Sequence, residues 1–327
     1  MNPQDESATD HAPSSAASRA VPVALDGGLE RIARELLRMQ RSDRRWRVFF
    51  RFAWLGLVAA VAWVLLHRAA PVASAAPHTA LVEVRGEIAA DSDASAELLL
   101  SAIRSAFEDD SARAVVLRFN SPGGSPVQSG IVYDEIRRLK ALHHKKVYAV
   151  VEEMCASGAY YIAVAADEIY VDKASIVGSI GVLMDGFGFT GLMDKVGVER
   201  RLLTAGENKG MLDPFTPANP KQTAYAQAML DQIHAQFIAV VRQGRGARLK
   251  ETPDTFSGLF WNGEEAVKLG LADHLGTLDY VAREVVKAED VVDYTPRDNI
   301  AERLAKRFGA SLGAGAVKAL HQAATIR

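Results

Sequence analysis

The sequence predicts an α/β domain built on parallel strands and preceded by one transmembrane helix. Three observations carry that prediction. Strand-like and helix-like periods alternate from residue 79 onward, glycine-containing turns follow two of the strands, and an arginine-flanked apolar run is centred near residue 57.

Arg41, Arg44, Arg45, Arg47 and Arg51 precede the uninterrupted apolar stretch Phe52–Leu66. Counted from Val48, with Arg51 free to snorkel toward headgroups, a helix of about 19 residues would span roughly 28 Å, near the ~30 Å of a hydrocarbon core. Positive residues stay on the cytoplasmic side. The expectation is therefore a single-pass anchor at 48–68 in the inner (cytoplasmic) membrane, with its N-terminus in the cytoplasm and the residues that follow it extracytoplasmic (periplasmic). Residues 1–47 read as a largely disordered segment rich in Ser, Ala, Asp and Pro, with a short juxtamembrane helix over Leu29–Gln40. Residues 69–77 form a small-residue linker, 78–295 the main domain, and 296–327 a helical extension centred on Ala301–Leu320.

Within the main domain, Thr79–Val84 reads as a strand and Ala94–Phe107 as an amphipathic helix. Ala114–Phe119 is a second strand and Val127–Leu142 a second helix, with Val127, Ile131, Ile136 and Leu139 toward the core. Val147–Val151 is a third strand, Ala156–Ala166 a helix beginning around Ser157, and Ile169–Val171 the next strand. Arg201–Leu203 is a strand candidate. Pro220 suits the first turn of a long helix running to Val241, and Asn262 suits the cap of a short one.

Composition narrows the function. The chain has 327 residues, with 38 basic against 40 acidic side chains for a net charge of -2, so no basic footprint for nucleic acid is present. One cysteine, Cys155, forbids an intramolecular disulfide, and its place beside a predicted strand–helix turn reads as a small buried side chain. There is neither a phosphate-loop nor a His-Glu-x-x-His pattern, and no metal or organic cofactor is implied.

Met154–Tyr161 reads Met-Cys-Ala-Ser-Gly-Ala-Tyr-Tyr, with Ser157 at the start of a helix. A serine there is often only a cap, accepting a backbone N–H. As a nucleophile it would need a base, and small neighbours such as Ala156 and Gly158 would leave room for a substrate backbone. The free amides of the helix start could then hold an oxyanion. Asn120-Ser121-Pro122-Gly123-Gly124 follows a predicted strand, where two glycines let a backbone amide approach a reacting carbonyl. Lys209 is a candidate base, because a lysine amine accepts a proton only when neutral and burial favours that form. A Ser-His-Asp triad assembled from distant segments stays open at this level, although no histidine lies near Ser157 in sequence. Asp167 and Glu168 read as capping or pairing groups.

Taken together, these segments resemble the SppA/SohB-like Ser-Lys peptidases of the crotonase and ClpP-like superfamily, over about residues 79–280. The resemblance rests on Asn120–Gly124, Met154–Ala163, Gly178-Ser179-Ile180-Gly181-Val182, Gly206–Lys209 with Pro214-Phe215, and Gly270-Leu271-Ala272-Asp273. It implies a ClpP/crotonase-like fold of repeated strand-strand-helix units. Ser157 would be the nucleophile, Lys209 the general base, Gly124 and Gly158 the oxyanion amides, and Ser179 a supporting residue near the lysine amine. The implied activity is that of a membrane-anchored serine endopeptidase acting through an acyl-enzyme on hydrophobic peptides such as cleaved signal peptides, and on misfolded exported proteins. The implied assembly is a homo-oligomeric ring whose active sites are completed by neighbouring subunits. Its alternatives are a non-catalytic membrane scaffold of the same fold and a crotonase-like acyl-thioester enzyme. Ala159 stands where the family more often has glycine, and its extra methyl is expected to narrow the cleft.

Overall fold

The computed structural model describes residues 46, 48–61, 63 and 76–296. The chain divides into two units, Met1–Pro71 and Val72–Arg327. In the first, residues 48–61 are helical and exposed, and the Trp46 ring stacks on Phe50 with centroids 5.6 Å apart. No helix among the described residues is long and apolar enough to cross a membrane. The expected span at 48–68 runs past the described helix, and the expected helices at 29–40 and 301–320 lie outside the described residues.

The second unit is a mixed α/β sheet. Its elements are β1 (His78–Arg85), α1 (Ala96–Glu108), β2 (Ala112–Ser121), α2 (Pro126–His143), β3 (Lys146–Ala156), α3 (Gly158–Ala163), β4 (Glu168–Val171) and β5 (Ile176–Gly178). Then follow α4 (Thr190–Val196), α5 (Pro220–Arg245), β6 (Phe260–Asn262), α6 (Gly263–Lys268), β7 (His274–Leu275), a helical segment at 278–286 and β8 (Val291–Asp293). The strand order is β6-β5-β3-β2-β1-β8, with β4 joining β3 to β7. Every pairing is parallel except β5 with β6.

Period-2 alternation explains the two faces. Val82, Val84, Val115, Leu117, Phe119, Val147, Ala149 and Val151 point into the main core beneath α1, α2 and α3. Leu81, Val116, Val150 and Tyr170 form a smaller cluster with Val281 on the other face. Both faces are covered, as the apolar runs of a parallel sheet require. On α2 the expected core face is off by part of a turn. Val132, Tyr133, Ile136 and Leu139 are buried, whereas Val127 and Ile131 are exposed. Small Ser129 takes the inward position instead, beside Gly158.

Three further expectations are corrected. Arg201–Leu203 forms no strand, and Leu203 is exposed. The third strand continues to Ala156, so α3 is shorter than expected and Ser157 stands in the turn between them. Strand β3 reaches that far because its two halves have different partners: Tyr148–Val151 pairs with β4 and Met154–Ala156 with β5. The sheet thus opens just below Ser157.

A buried polar clasp fixes the helices behind this opening. Arg245, 1% exposed, donates from both terminal nitrogens to Asp273 at 2.8 Å and from Nε to the Gly270 carbonyl at 2.7 Å. Asp273 also accepts the Ile169 amide at 2.7 Å and Arg248 at 3.0 Å. Fully buried Tyr160 of α3 donates to the Leu271 carbonyl at 2.8 Å. The Gly-Leu-x-Asp segment therefore ties the end of α5 to the helix that follows Ser157.

Burial alone would raise the pKa of Asp273, but its bonds to Arg245, the Ile169 amide and Arg248 hold it below the ordinary carboxylate value. A depressed folded value means the stabilisation is present above the unfolded value of about 3.9 and is lost as pH falls through the folded one. Asp273→Asn leaves Arg245 buried without its counter-charge and is expected to cost about 3–5 kcal/mol. Thermal unfolding across pH 3–7 checks this: the variant melts lower at neutral pH, and the difference shrinks as acid protonates the wild-type carboxylate.

Candidate active site

Ser157 occupies a backbone conformation that a serine adopts only under constraint, with φ 52° and ψ -124°. Two hydrogen bonds hold it there. Its amide donates to the Gly178 carbonyl at 2.8 Å, and its carbonyl accepts the Tyr161 amide at 3.0 Å. The hydroxyl makes no capping bond to α3. The capping reading thus falls away, and a sharp strand-to-helix turn presents the side chain at a cavity wall, the device used to expose nucleophiles in other α/β enzymes.

The Asn120–Gly124 loop is pressed against this turn. Buried Ser121 donates to the Gly86 carbonyl at 2.6 Å and accepts the Gly123 amide at 3.1 Å. A Cβ on Gly123 would fall 2.6 Å from both Ala156 O and Gly158 N, so only glycine permits the approach. Ile88 pairs with the next residues, donating to Gly123 O and accepting from Ser125 N, both at 2.8 Å. Because strand geometry alternates, the Gly124 amide between those bonds points away from Ile88. It faces the start of α3, where a Cβ built on Gly158 would lie 3.2 Å from Gly124 N. The backbone nitrogens of Gly124 and Gly158 therefore both lie beside the Ser157 turn.

Gly124, Ser157, Gly158 and Ser179 line one cavity of about 480 Å³. Ser179 sits at φ 50° with its amide bonded to Leu259 O at 2.8 Å. Sequence reasoning missed the apolar wall of Tyr161, Val182, Leu183, Ile233 and Phe237. The signal for it was faint: Phe237 shares the buried stripe of α5 with Val241, but nothing in the sequence joins that helix to Ser157. Ala159 is fully buried in the core and absent from the cavity wall, so its methyl does not narrow the cleft. Cys155 is fully buried, and burial pushes its thiol well up. Asp167 accepts the Val147 amide at 2.9 Å and pairs with Lys140 and Lys146, each at 3.2 Å.

Lys209 is not brought to Ser157 within the chain. It lies exposed in the turns that follow Gly206, its amide bonded to the Gly206 carbonyl at 3.1 Å, and it does not line the cavity. The surrounding segment, 182–219, has one short helix and no strand. It leaves Leu183, Phe187, Leu192, Val196 and Leu203 exposed, Leu203 at 96%.

Residues 140–292 match peptidase family S49. A putative protease of Synechocystis is 32% identical over 198 residues, covering 61% of this chain and 69% of that protein. The chain belongs to peptidase family S49. A putative protease of Methanocaldococcus jannaschii is 35% identical over 198 residues, covering 59% of this chain and 63% of its own. An Na(+)/H(+) antiporter NhaA of Brucella melitensis is 51% identical over 176 residues, 54% of this chain but only 24% of that protein. The chain thus spans less than two thirds of the length of these last two relatives. Further relatives are named putative signal peptide peptidase SppA, protease 4 and probable protease SohB. Membership makes this chain a serine-protease homologue, and the strained serine beside two amides is the feature of its structure suited to that chemistry.

Gly124→Ala would put a methyl 2.2 Å from the Ile88 carbonyl at a φ of 147°, turning the Gly124 amide aside. If that amide holds an oxyanion, as the resemblance implies, its loss is expected to lower kcat by about 10²–10³-fold. Steady-state hydrolysis measured beside circular dichroism separates that loss from unfolding.

Proposed function

We propose that this chain is a membrane-anchored serine endopeptidase that cuts hydrophobic peptides, such as cleaved signal peptides and misfolded exported segments, using Ser157 and Lys209. Ser157 attacks the carbonyl, a neutral lysine amine takes the hydroxyl proton, and the Gly124 and Gly158 amides hold the oxyanion. The amine then protonates the leaving group, and water activated by the same base releases the acyl-enzyme. The observation that carries this reading is the strained Ser157 turn beside the Gly124 amide. The apolar wall of Tyr161, Leu183 and Phe237 favours apolar side chains next to the scissile bond.

Lys209 being exposed points to an assembly. Segment 182–219 carries large exposed apolar side chains, which a monomer rarely leaves in water. Packing this segment on a neighbouring copy would bury them, and a lysine amine held against a neighbour's apolar cavity is desolvated toward its neutral form. A ring of ClpP/crotonase-like subunits, each lending Lys209 to the next, fits both observations. The arginine-flanked run at 48–68 supports the anchor, with the catalytic domain outside the cytoplasm.

Co-expression tests the shared site. Ser157→Ala and Lys209→Ala chains are each expected to be inactive. Mixed equally in one ring, they regain roughly a quarter of wild-type activity, because one heterologous interface in four joins an intact serine to an intact lysine. A mixture as inactive as its parts would place both residues of a working site in one chain. The full-length protein is also expected to stay in washed membranes, and release into the soluble fraction would remove the anchor from this account.

A further inference from the structure

Helix α5 approaches the cavity with more than its apolar face. Ile233, Gln236 and Phe237 line the wall, and His234, on the adjoining face, places Nε2 3.0 Å from the backbone carbonyl of Ile180. The acceptor is a carbonyl, so the ring nitrogen is the donor. Ile180 is fully buried and lies between Ser179 and Gly181, both of which line the cavity. Local bonds make this a tight corner: Ser179 N donates to Leu259 O at 2.8 Å, and Gly181 N closes back on Ser179 O at 2.9 Å.

Beyond the corner the chain runs without regular structure. Among the described residues, no backbone hydrogen bond is made by Val182–Gly188. Among the described residues, the main-chain groups of Val182 and Leu183 and the Gly181 carbonyl are therefore unpaired where they border the cavity that Ser157 lines, as a strand edge is before a peptide adds to it, while the Gly181 amide is held by Ser179 O. Such an edge binds well only if its position is fixed in advance, because ordering it on binding subtracts from affinity. His234 supplies that fixing from a rigid base. Its helix is held by buried Phe237 and Val241 and by the Arg245–Asp273 clasp.

We propose that His234 is a positioning residue that, by donating to Ile180, locks the Gly181–Leu183 edge for pairing with the main chain of an extended peptide substrate. This rests on the peptidase reading for the identity of the ligand, yet its test does not require hydrolysis.

The probe is a fluorescent apolar decapeptide bound to the full chain carrying Ser157→Ala, followed by anisotropy. Adding His234→Ala is expected to weaken binding about 3- to 10-fold, the equivalent of one hydrogen bond. His234→Gln, whose amide can still donate, restores most of it. In the chain with Ser157 intact, His234→Ala raises KM for the decapeptide in the same proportion. Hydrolysis of a small acyl ester that needs no strand edge is unchanged. Equal binding by His234→Ala, no rescue by His234→Gln, equal loss on the small ester, or no peptide binding by the Ser157→Ala chain would each overturn the proposal. Peptide binding that depends on His234 without any cleavage by the Ser157-intact chain would instead sink the peptidase reading and leave this inference standing.

Discussion

The close approach of two backbone turns is the constraint on which the rest of the structure depends. Gly123 lies against Ala156–Gly158, and Gly124 against Ile88, with no space for a side chain at either glycine. That approach holds a serine in a conformation costing about 1–3 kcal/mol and puts two amide donors on its flank. Neither turn can set the distance alone. The parallel register does so, aligning Val115–Phe119 with Val147–Val151 and Ser121 with Cys155, so both strands end at the same level. Ile88 then fastens the glycine loop from one side while Gly178 fastens the Ser157 amide from the other.

Behind the turns, buried polar groups do what apolar packing cannot. Apolar contacts tolerate small slips, whereas a two-pronged Arg245–Asp273 pair with further bonds to Gly270 O and Ile169 N permits one arrangement. A comparable latch joins the start of β1 to the residues just after β8. His78 Nε2 lies 3.0 Å from the Tyr294 hydroxyl, which donates to Asp109 at 2.5 Å. That bond is the main influence holding Asp109 below its ordinary value, while burial, helped by the same bond, pushes Tyr294 up. The first strand is thereby tied to the chain beyond β8, and the domain closes around its sheet.

What the sequence made legible follows from the range of the interactions involved. Alternating Val and Leu in β1, β2 and β3 report local periodicity, and they place β1 and β2 to within two residues, whereas β3 runs five residues past its apolar stretch to Ala156. The glycine-containing turns at Asn120–Gly124 and around Ser157 were legible as turns after strands, whereas the roles of Ser157, Gly124 and Gly158 came from the family resemblance and belong to the proposal. Strands β5, β6, β7 and β8 were not identified, because each has three residues or fewer and exists through its partner rather than its own pattern. The apolar wall and His234 were hidden for a related reason: α5 meets the Ser157 turn only in three dimensions. Lys209 shows the converse. Its motif was visible in sequence, but within one chain it remains exposed, away from the cavity that Ser157 lines.

The central claim is that the folded chain makes Ser157 a nucleophile. It is tested most directly by treating the full-length assembled protein with a fluorophosphonate and mapping the adduct by mass spectrometry. The account predicts one adduct per chain, on Ser157, lost when the protein is unfolded beforehand, with Ser121, Ser129 and Ser179 unmodified. An adduct on another residue, or none on a folded and assembled protein, would contradict it.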